Sequence, residues 1–362
     1  MRICHVTSAH PSSDVRILVK ECSSLANAGY EVFLVAKGDS RESLGVRIVG
    51  AGACPSSRLK RMFSFARKVF KLSLKLDCDI YHLHDPELIN FVKKYKKAGK
   101  TVIFDCHEDV GAQIEDKEWI PGPFRKMVAN SYKRKECRMM KRVDAIVAAT
   151  PHIATLFEGK VKNLATVNNF PKLDEYVFQD TPFKNRERII CYTGLINAAR
   201  GEKQMVDTMQ YVDGELILAG LTESEPATSE KVKYLGNLPR SEVNNIYKKS
   251  RVGLVVFQPK KNHIDSQPNK IFEYMASGLP IVGSNFPLWK ELIEDNKCGL
   301  CVDPNNPEEI GKACSYYLDH DNEAEEAGKN GRKAVEALYN WKNEEKKLLD
   351  LYKVLINGKE TK

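Results

Sequence analysis

Two tandem α/β domains, each a Rossmann-like, doubly wound parallel sheet, are the fold class that this chain's hydrophobic pattern predicts. Three observations carry the prediction. Short apolar runs alternate with amphipathic helical stretches through the first half, the mark of a parallel sheet covered on both faces. A polar stretch without periodicity, 172–187, then interrupts the pattern and reads as a linker. Beyond it the alternation restarts, and 362 residues suit two domains better than one. Two such sheets facing each other leave an interdomain cleft at the carboxyl ends of their strands, where ligands of this architecture bind.

The first domain, 1–171, has strand candidates at 2–8, 31–37, 46–52, 79–84, 101–107, 144–150 and 164–170, with an amphipathic helix over 15–29. The second, 188–340, has them at 188–194, 215–220, 231–236, 252–257, 280–284 and 299–303. The architecture repeats, but the sequence itself does not. A final helix, 341–362, carries Leu348, Leu349, Leu351, Tyr352 and Leu355 on its apolar side.

Composition sets bounds on function. With 42% hydrophobic and 29% charged residues the chain is a folded protein, not a disordered one. No run approaches the roughly 20 apolar residues of a membrane-spanning helix. The N-terminus enters a strand directly, so no signal peptide is expected and a cytoplasmic or peripheral location is. Ten cysteines without a small-domain framework imply reduced thiols. Cys298 and Cys301 have redox spacing but open a strand, so ordinary packing explains them better. A net charge of +8 suits phosphate-bearing substrates, nucleic acid or an anionic membrane, and alone chooses none of them.

The densest chemistry lies at 265–282, DSQPNKIFEYMASGLPIV. An apolar strand ends just upstream, and Pro268 suits a first helical position, where its missing N–H costs nothing. Ile271, Phe272 and Met275 give the helix an apolar side, and Gly278 stops it. The free N–H groups at its start form a ready anion site. Lys270 sits in that first turn, where the helix dipole disfavours a cation, which implies an anion beside it. Glu273 lies one turn further, on the face of Asn269, with Asp265 eight residues before it. The plain alternative is a capped amphipathic helix behind a core strand.

This segment resembles the carboxylate-x7-Glu signature of the retaining, two-domain (GT-B) glycosyltransferases of family 4. The stretch 272–282 matches closely, while Asp265 stands where the family has Glu, and SQPNK replaces its glycine-rich run. The resemblance implies a GT-B fold whose second domain binds a nucleotide-diphosphate sugar as donor substrate, with no further cofactor and no metal. Glu273 then accepts hydrogen bonds from the ribose hydroxyls, a cis-diol that two carboxylate oxygens suit. Asp265 lies nearer the hydroxyls of the transferred sugar. The loop 194–201 resembles the family's Gly-Arg…Lys-Gly element. Gly194 lets the backbone approach the diphosphate, Leu195 occupies the first cationic position, and Arg200 the second, with Lys270 supplying the missing charge. Alone, Arg200 reads equally as a surface residue opening a helix.

In the first domain, His107 matches the family's histidine near the reaction centre, where it would hydrogen-bond a sugar hydroxyl without titrating. The alternative is a strand-end histidine satisfied by the backbone. His82 and His84 share a strand face and could begin a metal site, but no third ligand of matching spacing appears, so His84-Asp85 reads as acceptor-side or structural. His10 and Asp14 read as facing the acceptor, and Arg16 as a local cap or pair. The stretch 58–75 has many cations, no acid, and Leu59, Met62, Phe63, Ala66, Val69, Phe70 and Leu74 at helical spacing. It packs on the sheet as an ordinary helix or adds peripheral contact with an anionic membrane, useful if the acceptor is a lipid-linked saccharide. Nucleic acid is not expected as a partner, since no binding module accompanies the charge. The resemblance thus implies a metal-independent retaining transferase, working in cell-surface polysaccharide or lipopolysaccharide synthesis at the inner face of the membrane. A sugar-nucleotide epimerase of the same fold and a non-catalytic nucleotide-sugar-binding subunit are the competing readings.

Overall fold

The computed structural model describes residues 1–115, 120–176, 182–223 and 226–360. They form two compact units, residues 1–169 with 342–362 and residues 170–341. Each is built on one sheet.

The first sheet comprises β1 (Arg2–Pro11), β2 (Glu31–Lys37), β3 (Arg41–Ser43), β4 (Val46–Gly50), β5 (Ile80–Leu83), β6 (Thr101–Cys106), β7 (Ala145–Ala148) and β8 (Leu164–Thr166). Its order is β3-β4-β2-β1-β5-β6-β7-β8, parallel throughout except where β3 runs against β4. Central strands are buried along almost their whole length, as β5, β6 and β7 show. Such strands read as unbroken apolar runs rather than alternations. The chain winds outward from β1 to one side and then returns to β5 on the other. This is the switch point of the sheet.

The second sheet comprises β9 (Ile189–Thr193), β10 (Glu215–Ala219), β11 (Val232–Tyr234), β12 (Val252–Val255), β13 (Ile281–Ser284) and β14 (Gly299–Val302). Its order is β11-β10-β9-β12-β13-β14, all parallel, with the switch point between β9 and β12. Two glycines fix the helix Asn269–Ser277 against this sheet. A Cβ on Gly253 would lie 2.5 Å from the Tyr274 ring, and one on Gly328 would lie 2.3 Å from the Gly278 carbonyl oxygen. The ring therefore lies flat on β12, and the helix Asp321–Ala337 closes over the other side.

One expectation is corrected, one open reading is divided between its alternatives, and one strand is new. The expected linker, 172–187, belongs where described to the second unit, which begins at 170. Phe170 packs edge-on against Phe272 at 4.7 Å, Tyr176 and Phe183 are buried, and the Arg186 guanidinium covers the Phe183 ring. Residues 177–181 lie outside the described residues. In the stretch 58–75 the apolar side is split: Phe65, Ala66, Val69 and Phe70 pack inward, but Leu59, Met62 and Phe63 are exposed. Helical spacing places residues on one side of a helix but does not say how far the sheet beneath extends. Strand β3 was not expected, because its three polar residues have no apolar pattern.

All ten cysteines are free. Among the described residues no helix is long and apolar enough to cross a membrane. Replacing Gly328 by Ala should lower stability by about 1–3 kcal/mol, because backbone rather than a flexible side chain must yield. Denaturant unfolding of the variant measures this. An unchanged midpoint would show that the two helices do not seat each other in this way.

Candidate active site

In the second unit the expected residues converge where β9 and β12 end. Gly194 follows β9 with φ +135°, a conformation that side chains disfavour. A Cβ there would meet Lys270 Cε at 3.2 Å, Tyr192 OH at 3.6 Å and Arg200 Nη1 at 3.9 Å. Both cations therefore converge on the bare backbone of Gly194. Arg200 is held by Asn197, whose side-chain oxygen accepts from the Arg200 N–H at 3.1 Å, and its guanidinium lies over the Phe257 ring. Gly201, at φ +78°, passes so close to the residue just after β12 that a Cβ would lie 2.1 Å from the Val256 carbonyl oxygen. That contact sets the loop against the strand.

The helix Asn269–Ser277 begins at Pro268 with no side-chain cap, and Gly278 ends it at φ +65°. Among the described residues no side-chain acceptor caps its N-terminal amides. Glu273 is buried one turn in. Its Oε2 accepts from Lys270 Nζ at 2.7 Å, Arg240 Nη1 at 2.9 Å and the Tyr247 hydroxyl at 2.9 Å. Burial would raise its pKa, but Lys270 and Arg240 outweigh that and hold it at about 2. Thr193 bonds Tyr247 OH at 2.5 Å, so the end of β9 fixes one of the three donors. Asn269 and Asp265 are both exposed, and their side chains make no hydrogen bond or ion pair among the described residues.

Arg240 and Tyr247 were missed by sequence reasoning. They lie on the helix Arg240–Lys249, far along the chain from Glu273. One signal was available: Arg240, like Lys270, is a cation in the first turn of a helix, where the dipole disfavours it. The aromatic face of Tyr176, 5.0 Å from the guanidinium, supports Arg240 from below.

In the first unit His107 follows β6, beside a buried ionic network. Arg16 donates to both oxygens of Asp105, at 3.1 and 3.0 Å, and to the Val167 carbonyl at 2.8 Å. Besides the local pairing expected of it, an ion pair with Glu21 Oε1 at 3.0 Å, it is a long-range clamp. His107 Nε2 lies 3.5 Å from Asp105 Oδ2 but makes no hydrogen bond among the described residues. Burial, against the pull of Asp105, lowers the His107 pKa to about 4, so the ring is neutral near pH 7. Asp14 caps the following helix through the Ile17 N–H and bonds His10 Nδ1 at 3.1 Å. Asp85 is structural: its Oδ2 accepts from Thr7 Oγ1 and from the Ser8 and Ala9 amides.

His82 and His84 do have further partners of metal-ligating type. His5 and Glu21 stand with them, all four buried. Spacing along one strand could not show this, because the added residues come from β1 and from the helix Val15–Cys22.

The Glu273 charge carries a pH signature. Its folded pKa lies below the ordinary 4.5, so its pairing stabilises the fold above that value and is lost as pH falls toward about 2. The full shift corresponds to about 3 kcal/mol. The wild type should lose roughly that much between pH 4.5 and 2 relative to Glu273→Gln, as read by denaturant unfolding across the range. Parallel curves for the two proteins would contradict the pairing.

Comparison with known proteins agrees with this division. A family model described as Glycosyltransferase Family 4 matches residues 15–170, and one described as Glycosyl transferases group 1 matches residues 175–334. An uncharacterized glycosyltransferase of Methanocaldococcus jannaschii is 24% identical over 47% of this chain and 46% of its own length. The chain spans about half the length of such curated relatives. Among solved structures, a sucrose-phosphate synthase from Thermosynechococcus elongatus matches with a TM-score of 0.76 and 18% identity, over 99% of this chain and 100% of that one. The Anabaena protein Alr3699/HepE, solved in complex with UDP and glucose, matches with a TM-score of 0.72 and 11% identity, over 98% and 100%. These similarities fix the fold as GT-B. With one model on the first unit and the other on the second, the chain belongs to the family 4-type glycosyltransferases.

Proposed function

We propose that the chain is a metal-independent, retaining glycosyltransferase that moves a sugar from a nucleotide-diphosphate sugar to an acceptor hydroxyl. The convergence of Lys270 and Arg200 on the backbone of Gly194 carries this reading. A diphosphate laid along that backbone meets two cations and the uncapped N-terminus of the helix Asn269–Ser277, which together stabilise the charge of the leaving group. Protein charges do here what a metal ion does in other transferases. The UDP held by the Anabaena structure supports a nucleotide in this role.

Glu273 would take the ribose hydroxyls on its two oxygens, and Asn269 lies one turn before it on the same helix. Arg240 and Tyr247 keep the carboxylate charged while Lys270 turns to the diphosphate. Asp265 would reach sugar hydroxyls, and neutral His107 would accept or donate a hydrogen bond to the sugar without titrating. In the reaction the bond from the anomeric carbon to the phosphate oxygen breaks, and the acceptor oxygen bonds that carbon on the same face. The acceptor proton passes to the departing phosphate, so no protein nucleophile is required.

The acceptor we propose is a lipid-linked saccharide of cell-surface polysaccharide or lipopolysaccharide synthesis, met at the inner face of the cell membrane. Exposed Leu59, Met62 and Phe63, with Lys60, Arg67, Lys68 and Lys71 exposed on the same helical stretch, support contact with an anionic surface.

Lys270→Ala should lower kcat about 100-fold, the usual cost of one preorganised contact to developing charge. Glu273→Gln should weaken nucleoside diphosphate binding roughly tenfold or more, as calorimetry reads it. Product of inverted anomeric configuration would refute the retaining mechanism, and turnover of donor without acceptor would point to an epimerase. The pair Leu59→Ser and Phe63→Ser should reduce binding to anionic vesicles in flotation while leaving nucleotide affinity intact. Equal flotation would remove the membrane from the proposal.

A further inference from the structure

We propose that the first unit holds a structural divalent transition-metal ion of the zinc class on His5 Nδ1, Glu21 Oε2, His82 Nδ1 and His84 Nε2. The topology assembles these donors from three segments. His5 on β1 and His82 on β5 are register partners in adjacent parallel strands, so their side chains share a face. His84 follows two residues on and returns to that face. Glu21 comes from the helix Val15–Cys22, which is wound wider than an α-helix: the Val19 N–H reaches back five residues to the Asp14 carbonyl oxygen. Such wide turns recur at functional sites.

The four donor atoms face one another. His5 Nδ1 and His84 Nε2 are 2.9 Å apart, and Glu21 Oε2 lies 3.8 Å from His5 Nδ1, 3.8 Å from His82 Nδ1 and 4.0 Å from His84 Nε2. A tetrahedral ion with bonds of about 2.0–2.1 Å spaces its ligand atoms about 3.3 Å apart, so these separations bracket the required shell. Three imidazoles and one carboxylate suit zinc-class ions, whereas calcium and magnesium want oxygen alone.

Burial supplies the second observation. Glu21 is fully buried, yet neither of its oxygens makes a hydrogen bond among the described residues. Arg16 Nε lies 3.0 Å from Oε1, but that group is directed to Asp105. One guanidinium thus serves two buried carboxylates. A metal cation would supply the charge and the contact that Glu21 lacks.

One outer partner is in place: Asp105 Oδ2 lies 3.2 Å from His84 Nδ1, within ion-pair reach but outside hydrogen-bond geometry, where a carboxylate would orient that ring once it ligates. His82 Nε2 has no hydrogen-bond partner among the described residues. His5 Nε2 lies 3.4 Å from the Tyr352 hydroxyl, which also lies 3.0 Å from His82 Nδ1. Ion binding would take His82 Nδ1 and leave Tyr352 to His5. His107 groups with His84 and Asp105 rather than with this set, and Asp105 is already committed to Arg16. Four protein ligands leave no open position, so the ion is structural and ties β1, β5 and the helix Val15–Cys22 together, with the final helix reached through Tyr352.

The test is metal content of the full, untagged chain grown with zinc and gel-filtered in chelator. About one zinc per chain should remain, since a closed site binds as part of folding. Refolding with cobalt should give the visible bands of tetrahedral coordination. Glu21→Gln and His82→Gln, shown folded by circular dichroism and by intact nucleotide binding, should lose both signals. Wild type that holds no zinc and shows no cobalt bands overturns the proposal. So does metal retained equally in the folded variants. If neither variant folds, X-ray absorption on the wild type decides: three imidazole nitrogens and one oxygen support the site, and any sulfur ligand refutes it.

Discussion

A buried carboxylate kept charged is the constraint on which the candidate site of the second unit depends. Burial alone pushes the Glu273 pKa up, toward a neutral acid with one acceptor fewer. Three donors prevent this, and they come from two helices: Lys270 from its own, Arg240 and Tyr247 from another. The end of β9 enters through Thr193, and Tyr176 supports Arg240. The helix that carries Glu273 is itself seated by the bare backbones of Gly253 and Gly328. A change in either contact would move the charge relative to Gly194, so packing and electrostatics cannot vary independently here.

The first unit handles buried polarity differently. There three histidines, two acids and one arginine are buried on a sheet face that also holds Ile3 and Ile80. Asp105 is satisfied by a bidentate guanidinium, the strong geometry for such a pair. Glu21 lacks an equivalent. Unsatisfied groups of this kind weaken a fold unless something further engages them.

Much of this was legible in the sequence, and the failures have physical causes. Strands such as β2, β6 and β12 declare themselves because burial on both faces demands continuous apolar runs. Gly194, Lys270 and Glu273 could be singled out because turn, dipole and spacing rules act within a few residues. For Arg240 the sequence offered only a cation in a first helical turn, with nothing to name its partner far along the chain, and Glu21 reads as an ordinary charged residue on an amphipathic helix. For Leu59 and Phe63 helical spacing left burial and exposure both open, and only the fold shows that they are exposed. Local rules find elements, and only the assembled fold shows which side chains they bring together.

The chain leaves the first unit at 169 and comes back to it at 342. Glu344 then accepts from the Asn168 N–H at 2.7 Å, and Tyr352 bonds His82. During synthesis, the sheet of the first unit is therefore made early but lacks these partners until the whole second unit has emerged. The second unit is one continuous segment and can fold as it is made. The protein that starts at the N-terminus is thus completed in the opposite order, with its first-made domain the last to be closed.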